Sequence, residues 1–116
     1  MRGGVGTAAC IHKALHLADR HLSPDEICDE IGEGWTGDEA VGVALWAALR
    51  SKNTTDAIRL GANHRGDSDS TASIAGQLAA CLWGLSVQEK ITFGCVDLAP
   101  ALIAVHAHLV LSLENI

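Results

Sequence analysis

Apolar side chains recur at helical spacing along the chain, whereas the alternation typical of strands is scarce. Ala8, Ile11, Leu15 and Ala18 lie three or four residues apart, which places them on one face of a helix. Residues 23–26 and 86–89 have the Ser-x-x-Glu pattern of a capping box, which predicts a helix start at each. The pattern predicts helices over about 7–21, 24–31, 38–50, 54–62 and 71–83, a short one after 86, and a last one over about 96–113.

The fold class predicted from this pattern is all-α. We expect a compact orthogonal bundle of about six or seven short helices that forms a single domain over residues 1–116. Hydrophobic residues make up 48% of the chain, so a disordered tail is excluded and a modest core is expected.

Charge and cysteine content narrow the partners and the compartment. The net charge is −6 and the basic residues are scattered, which argues against nucleic acid or an anionic membrane surface as the main partner. The four cysteines show no Cys-x-x-Cys spacing and most fall on helix faces predicted to be buried, so we expect reduced thiols. With no signal peptide and no apolar run of membrane length, the sequence predicts a cytoplasmic protein.

An acidic, hydroxyl-rich turn precedes the fifth predicted helix. Asp67 and Asp69 are one residue apart, and Ser70 and Thr71 follow them directly. Two carboxylates with neutral oxygen donors beside them are ligands that Mg²⁺ and Mn²⁺ favour. The alternative is that these residues only form a turn and an N-cap, where side-chain oxygens satisfy free backbone N–H groups and carboxylates favour the helix dipole.

His64 and Arg65 stand just before this turn. They could contact a diphosphate, but we favour the simpler interpretation, in which Arg65 is a solvated loop residue that pairs with Asp67 or Asp69.

Two motifs carry a resemblance to a known family. The string Gly-Asp-Ser-Asp-Ser-Thr at 66–71, followed by Ile-Ala-Gly at 74–76, resembles the C-terminal metal-binding motif of the ADP-ribosylglycohydrolase family. Upstream, Gly-Glu-Gly-Trp at 32–35 and the helical segment at 38–50 resemble the Gly-rich loop and the next helix of that family. The segment at 56–60 resembles the helix that leads into the metal loop. The resemblance extends over most of the chain.

The resemblance implies an all-helical enzyme that binds a pair of divalent ions, usually magnesium or manganese, and cleaves the glycosidic bond between ADP-ribose and its acceptor. It implies that Asp67 and Asp69 are metal ligands and that Ser70 takes the place of the hydroxyl ligand. It also places Gly34 and Trp35 in the loop that borders the substrate cleft. Trp35 could stack on the ligand there, or could simply be a partly buried anchor.

One departure from the family pattern affects the expected function. Family members carry further metal ligands in an N-terminal Gly-Asp motif and an Asp-Asp-Thr motif, and neither occurs here. Asp38 follows a glycine, but with Glu39 it reads better as a first-turn acid of a helix. The chain therefore resembles the C-terminal part of the enzyme, and no catalytic residue is assigned.

Three functions remain open at this point. The first is metal-dependent hydrolysis of an ADP-ribosylated protein or small molecule, with the remaining ligands on a separate N-terminal chain. The second is a truncated, non-catalytic relative that binds ADP-ribose or metal, or that associates with itself. The third is a helical interaction domain in which the acidic turn is only a cap.

Overall fold

Seven helices and no strand make up the part of the chain that the computed structural model describes, residues 2–95 and 99–115. The all-α prediction is therefore confirmed. The helices are α1 (Arg2–Leu17), α2 (Pro24–Glu30), α3 (Gly37–Arg50), α4 (Thr54–Ala62), α5 (Ser68–Trp83), α6 (Val87–Gly94) and α7 (Ala99–Glu114).

Local capping explains why the short helices begin where they do. Ser23 and Ser86 both form complete capping boxes, in which the serine side chain accepts from the backbone of the glutamate three residues on and that glutamate accepts from the serine backbone. Asn53 caps α4 through a hydrogen bond from the Asp56 N–H. These side-chain caps stand in the sequence itself, so the starts of α2, α4 and α6 were predicted within a residue.

Three predicted boundaries were wrong. Helix α1 begins at Arg2 and not near Thr7. Helix α1 ends at Leu17 and not near His21, because the chain turns there and the Arg20 N–H bonds to the carbonyl of Leu17 at 3.1 Å. Helix α5 begins at Ser68 and not at Thr71, so most of the acidic motif lies in its first turn. The predicted start of the last helix, Val96, lies outside the described residues.

The chain divides into two compact units, one up to Gly84 and one from Leu85 onward. The single domain expected over 1–116 stays a prediction. In the first unit α3 is the central helix, since it packs against α1, α4 and α5, while α4 and α5 also pack against each other. Small side chains permit this close packing: a Cβ on Gly76 of α5 would lie 3.0 Å from Cγ1 of Ile58 on α4.

The core of the first unit is built around α3. Val43, Ala44, Trp46, Ala47 and Ala48 on that helix are all fully buried. Trp46 is the largest fully buried side chain, and its Nε1–H has no acceptor among the described residues. The indole ring therefore contributes to stability through its apolar surface and packing.

The second unit consists of α6 and α7, which contact each other. Helix α7 carries no charged side chain between Pro100 and Leu113, yet its large apolar residues are exposed. Leu102 is 61% exposed, Ile103 64% and Leu113 67%. A helix that is apolar on all sides is normally buried, so the exposure of this surface is unusual.

Two of the four cysteines are exposed at the surface. All four cysteines are free thiols, but only Cys28 is buried. Cys81 and Cys95 are exposed, contrary to the expectation that most would lie on buried faces. Among the described helices none is both long and apolar enough to cross a membrane.

Candidate metal and substrate site

The acidic motif forms the N-terminus of α5. Asp67 is the N-cap residue, but its side chain makes no capping hydrogen bond. Its backbone N–H instead donates to the carbonyl of Glu33 at 2.8 Å, and its carbonyl accepts from the Thr71 N–H at 3.3 Å. The residue therefore has the position that the capping alternative predicts, while its carboxylate is not used as a cap.

The two aspartates of the motif lie side by side. The carboxyl of Asp69 is within hydrogen-bonding distance of that of Asp67, and this contact, with backbone N–H groups of Ser70 and Asp69, lowers the pKa of Asp69. Asp69 is exposed and Asp67 half-buried. Two carboxylates this close repel each other unless solvent or a cation screens them, and the positive end of the helix dipole favours their negative charge.

Ser70 lies beside Asp69 at the surface. Together with Ser73 and Ile74 these two residues line an open depression of about 380 Å³. The structure thus brings together the three residues predicted as metal ligands, Asp67, Asp69 and Ser70, in the first turn of α5.

The hydroxyl of Thr71, which the sequence suggested as an oxygen donor for a metal ion, has a structural role instead. The side chain is fully buried, and its hydroxyl donates to the carbonyl of Gly61 at the end of α4. The Gly66 N–H donates to Nδ1 of His64 at 3.0 Å, so a neutral His64 carries its proton on Nε2, which lies 2.7 Å from the Thr71 hydroxyl. Thr71 is therefore committed to holding the loop between α4 and α5 and does not face solvent as a ligand would.

The Gly-rich loop at 32–35 packs directly against this motif. Gly34 has φ +84°, a left-handed conformation that side chains rarely adopt. A Cβ on Gly34 would lie 2.9 Å from Cγ2 of Thr71 and 3.7 Å from Cβ of Asp67. On the other side, a Cβ on Gly66 would lie 2.0 Å from the carbonyl oxygen of Glu33. Glycine is required at both positions because the two backbones approach so closely.

Trp35 stands at the edge of this contact. Its side chain is 67% exposed, and its Nε1–H donates to Oε1 of Glu33 at 3.2 Å. The alternative that Trp35 is a partly buried anchor does not fit this exposure. The indole ring is therefore largely open to solvent.

Arg65 is an exposed loop residue as predicted, but the predicted ion-pair partners were wrong. Arg65 pairs with Glu33 and Asp29, and not with Asp67 or Asp69. Arg65 therefore does not neutralise the carboxylates of Asp67 and Asp69. Asp38, in contrast, lies in the first turn of α3 as predicted, where it accepts a hydrogen bond from the hydroxyl of Thr7.

The donor set fits a hard divalent ion in kind. Asp67, Asp69 and Ser70 offer only oxygen atoms, which suit Mg²⁺ and Mn²⁺. Across the described residues, however, no group of three or more His, Cys, Asp or Glu side chains could hold a metal ion. Asp67, Asp69 and Ser70 alone could therefore supply only part of a coordination shell.

A comparison with protein families decides the relationship. The model of the ADP-ribosylglycohydrolase family matches residues 3–104, which includes both motifs. This chain belongs to the ADP-ribosylglycohydrolase family.

Two relatives are similar to this chain over part of their length. ADP-ribosylarginine hydrolase Tri1 of Pseudomonas putida (strain GB-1) is 38% identical over 100 residues, which cover 68% of this chain and 27% of the relative. The protein of the same name from Serratia proteamaculans (strain 568) is 40% identical over 58 residues, or 50% of this chain and 16% of the relative. The chain thus matches about a quarter or less of the length of each relative. No solved structure matches it.

The sequence did not reveal that Glu33 and Arg65 connect the Gly-rich loop to the acidic motif. Glu33 lies inside the Gly-Glu-Gly-Trp motif, but nothing in the motif indicated that its backbone and its side chain would contact the second motif. Arg65 and Glu33 have opposite charges, which was the available signal, yet they are 32 positions apart. Proximity in the sequence favours Asp67 or Asp69 as the partner of Arg65 instead.

Proposed function

We propose that this chain forms one side of the metal and substrate site of a metal-dependent ADP-ribosyl hydrolase. The observation that carries the proposal is the direct packing of the Gly-rich loop on the acidic motif. The Asp67 N–H bonds to the Glu33 carbonyl, and Gly34 lies against Thr71. A ligand that contacts Trp35 can therefore reach the oxygen donors of the α5 N-terminus.

The metal ligands in this proposal are Asp67, Asp69 and Ser70, and the ion is Mg²⁺ or Mn²⁺. A bound divalent ion, one of a pair in the family, would lower the pKa of a bound water and stabilise developing negative charge. The chain's own contribution is to hold two carboxylates and a hydroxyl in the first turn of one helix. In this proposal the further ligands, and the carboxylate that glycoside cleavage needs near the scissile bond, are residues other than these three.

The substrate in this proposal is an ADP-ribosyl group attached to a protein or a small molecule. The two relatives are named ADP-ribosylarginine hydrolases, so ADP-ribose linked to arginine is the substrate to test first. In this proposal Trp35 offers an exposed indole for stacking on the ligand, and Gly34 lets the Gly-rich loop pack closely against Thr71.

The experiment is release of free ADP-ribose from a protein ADP-ribosylated on arginine. The chain is assayed with Mn²⁺, with Mg²⁺ and with a chelator, and binding of Mn²⁺ and of ADP-ribose is titrated in parallel by calorimetry. Release that requires the metal supports the hydrolase. Binding of metal and ADP-ribose without release supports a binding site that is catalytically incomplete in this chain, and an absence of all three refutes the proposal.

Helix α7 supports self-association as a second candidate function. Its exposed apolar residues form a surface on the second unit that a further copy of this chain could bury, or that a separate N-terminal chain could cover. Leu102, Ile103, Val105, Leu109, Leu111 and Leu113 are all more than half exposed. Burying apolar surface is the main favourable term in such association.

We expect the chain to form dimers or larger species, and Leu109→Glu to shift it toward the monomer. The reason is that a buried carboxylate in an apolar contact is costly. Sedimentation velocity over a wide range of concentration measures the change. Gln88→Glu on α6 is the matched control, since it adds the same charge at an exposed polar position. A parent chain that sediments as a monomer throughout would contradict this expectation.

A further inference from the structure

Arg65 connects the acidic loop to α2 and to the segment that follows it. Its Nε donates to Oε2 of Glu33 at 2.6 Å, and its Nη2 donates to Oδ1 of Asp29. Its Nη1 donates to the carbonyl of Asp25 at 3.3 Å, and its backbone N–H donates to Oδ1 of the same residue at 3.0 Å. A single residue thus spans from the loop before α5 to both ends of α2.

Glu33 continues this connection to the aromatic side chain of the Gly-rich loop. One carboxylate oxygen accepts from Arg65, and the other accepts from the indole N–H of Trp35 at 3.2 Å. The hydrogen bond from Arg65, and then that from Trp35, lowers the pKa of Glu33, while the two carboxylates raise that of Arg65. Both partners therefore stay charged at neutral pH, and the indole keeps an ionised acceptor.

Stability alone does not account for this arrangement. The side chains are 43% exposed for Arg65, 38% for Glu33 and 63% for Asp29, and ion pairs with this exposure contribute little to folding because water screens them. What the guanidinium supplies is geometry. Its planar fork fixes two carboxylates at once in a way that a lysine ammonium does not.

We propose that Arg65 is a positioning residue that, through Glu33, fixes the Trp35 indole relative to Asp67 and Asp69. Arg65 lies two residues before Asp67, and Glu33 also accepts from the Asp67 N–H through its carbonyl. The same two residues thereby set the distance between the aromatic face and the carboxylates. The effect on a ligand rests on the proposed function, whereas the effect on Trp35 does not.

Fluorine NMR of the chain labelled with 5-fluorotryptophan tests the positioning directly. The protein has three tryptophans, and the Trp35 resonance is assigned by its loss in Trp35→Phe. We expect Arg65→Gln to shift and sharpen this resonance while the Trp46 and Trp83 resonances stay in place. Arg59→Gln is the matched control, because Arg59 is also an exposed arginine with an ion pair, to Asp56. An unchanged Trp35 resonance in Arg65→Gln would overturn the proposal.

Arg65→Lys separates geometry from charge. Lysine keeps the positive charge but lacks the fork, so we expect the Trp35 resonance of Arg65→Lys to resemble that of Arg65→Gln. A lysine variant that matches the parent protein would overturn a positioning role and leave only a charge effect.

Titration with ADP-ribose in the presence of Mn²⁺ tests the consequence for binding. We expect Arg65→Gln and Arg65→Lys to weaken binding about tenfold, as is common when a residue that orients a site is removed, and Arg59→Gln to leave it unchanged. If the parent chain binds no ADP-ribose, the proposed function fails, while the Trp35 resonance still decides the role of Arg65. If the parent binds and the Arg65 variants bind equally well, the positioning role is refuted and the function stands.

Discussion

Replacing Asp67 and Asp69 together with Asn lowers Mn²⁺ affinity and metal-dependent release of ADP-ribose at least about a hundredfold, if these carboxylates are metal ligands. Asparagine keeps the shape of the side chain but removes the negative charge that a hard cation requires. The stability of the fold should change little, since the Asp67 side chain makes no capping bond that would be lost. Calorimetric titration with Mn²⁺ and the release assay measure the effect.

Asp56→Asn is the matched control for this experiment. Asp56 also lies in the first turn of a helix, α4, and pairs with Arg59 away from the acidic motif. We expect the Asp56→Asn variant to bind Mn²⁺ and to release ADP-ribose as the parent chain does. If the double variant at Asp67 and Asp69 behaves like this control, the acidic turn is no metal site, and the interaction-domain interpretation gains support.

Trp46→Ala is expected to destabilise the first unit by about 3–5 kcal/mol, the usual cost of removing a large aromatic side chain from a core. Trp46 is fully buried on α3, the helix that packs against α1, α4 and α5. Because small domains are stable by only about 5–15 kcal/mol, this change consumes a large part of the total. Urea unfolding followed by circular dichroism measures the free energy of unfolding.

Trp35→Ala provides the contrast for Trp46→Ala. The Trp35 side chain is 67% exposed, so we expect its removal to change the free energy of unfolding by no more than about 0.5 kcal/mol. If Trp46→Ala leaves too little folded protein to measure, Trp46→Phe, with a smaller loss of volume, reports the same effect on a reduced scale. Equal stabilities of the Trp35 and Trp46 variants would contradict the packing around α3.

The starts of α2, α4 and α6 could be predicted because each depends on residues close together in the chain. Ser23 and Ser86 bond to glutamates three positions on, and Asn53 bonds to the Asp56 N–H. The start of α5 was predicted less well. Its first turn is rich in Asp and Ser, which favour both turns and helix N-termini, so local preference alone does not distinguish the two.

The sequence predicted candidate ligands for the site, which stay a prediction, but it did not predict the residues that support them. Asp67, Asp69 and Ser70 are consecutive or nearly so, and a helix start brings them together without help from the rest of the fold. Glu33 is different, because it supports Asp67 and Trp35 from a loop more than thirty residues away from the first of them. No periodicity or local motif encodes that distance.

The sequence by itself determined the all-α class, the family and the presence of an oxygen-rich motif next to α5, since these depend on helical periodicity, capping residues and short motifs. Only the tertiary structure decided that Arg65 pairs with Glu33 and Asp29, that the Thr71 hydroxyl is buried against Gly61, and that Trp35 stands exposed beside the motif. The physical reason is range: capping and helical spacing act within one or two turns of chain, whereas these contacts join α2, α4, α5 and the loops beside them, which are far apart in the sequence.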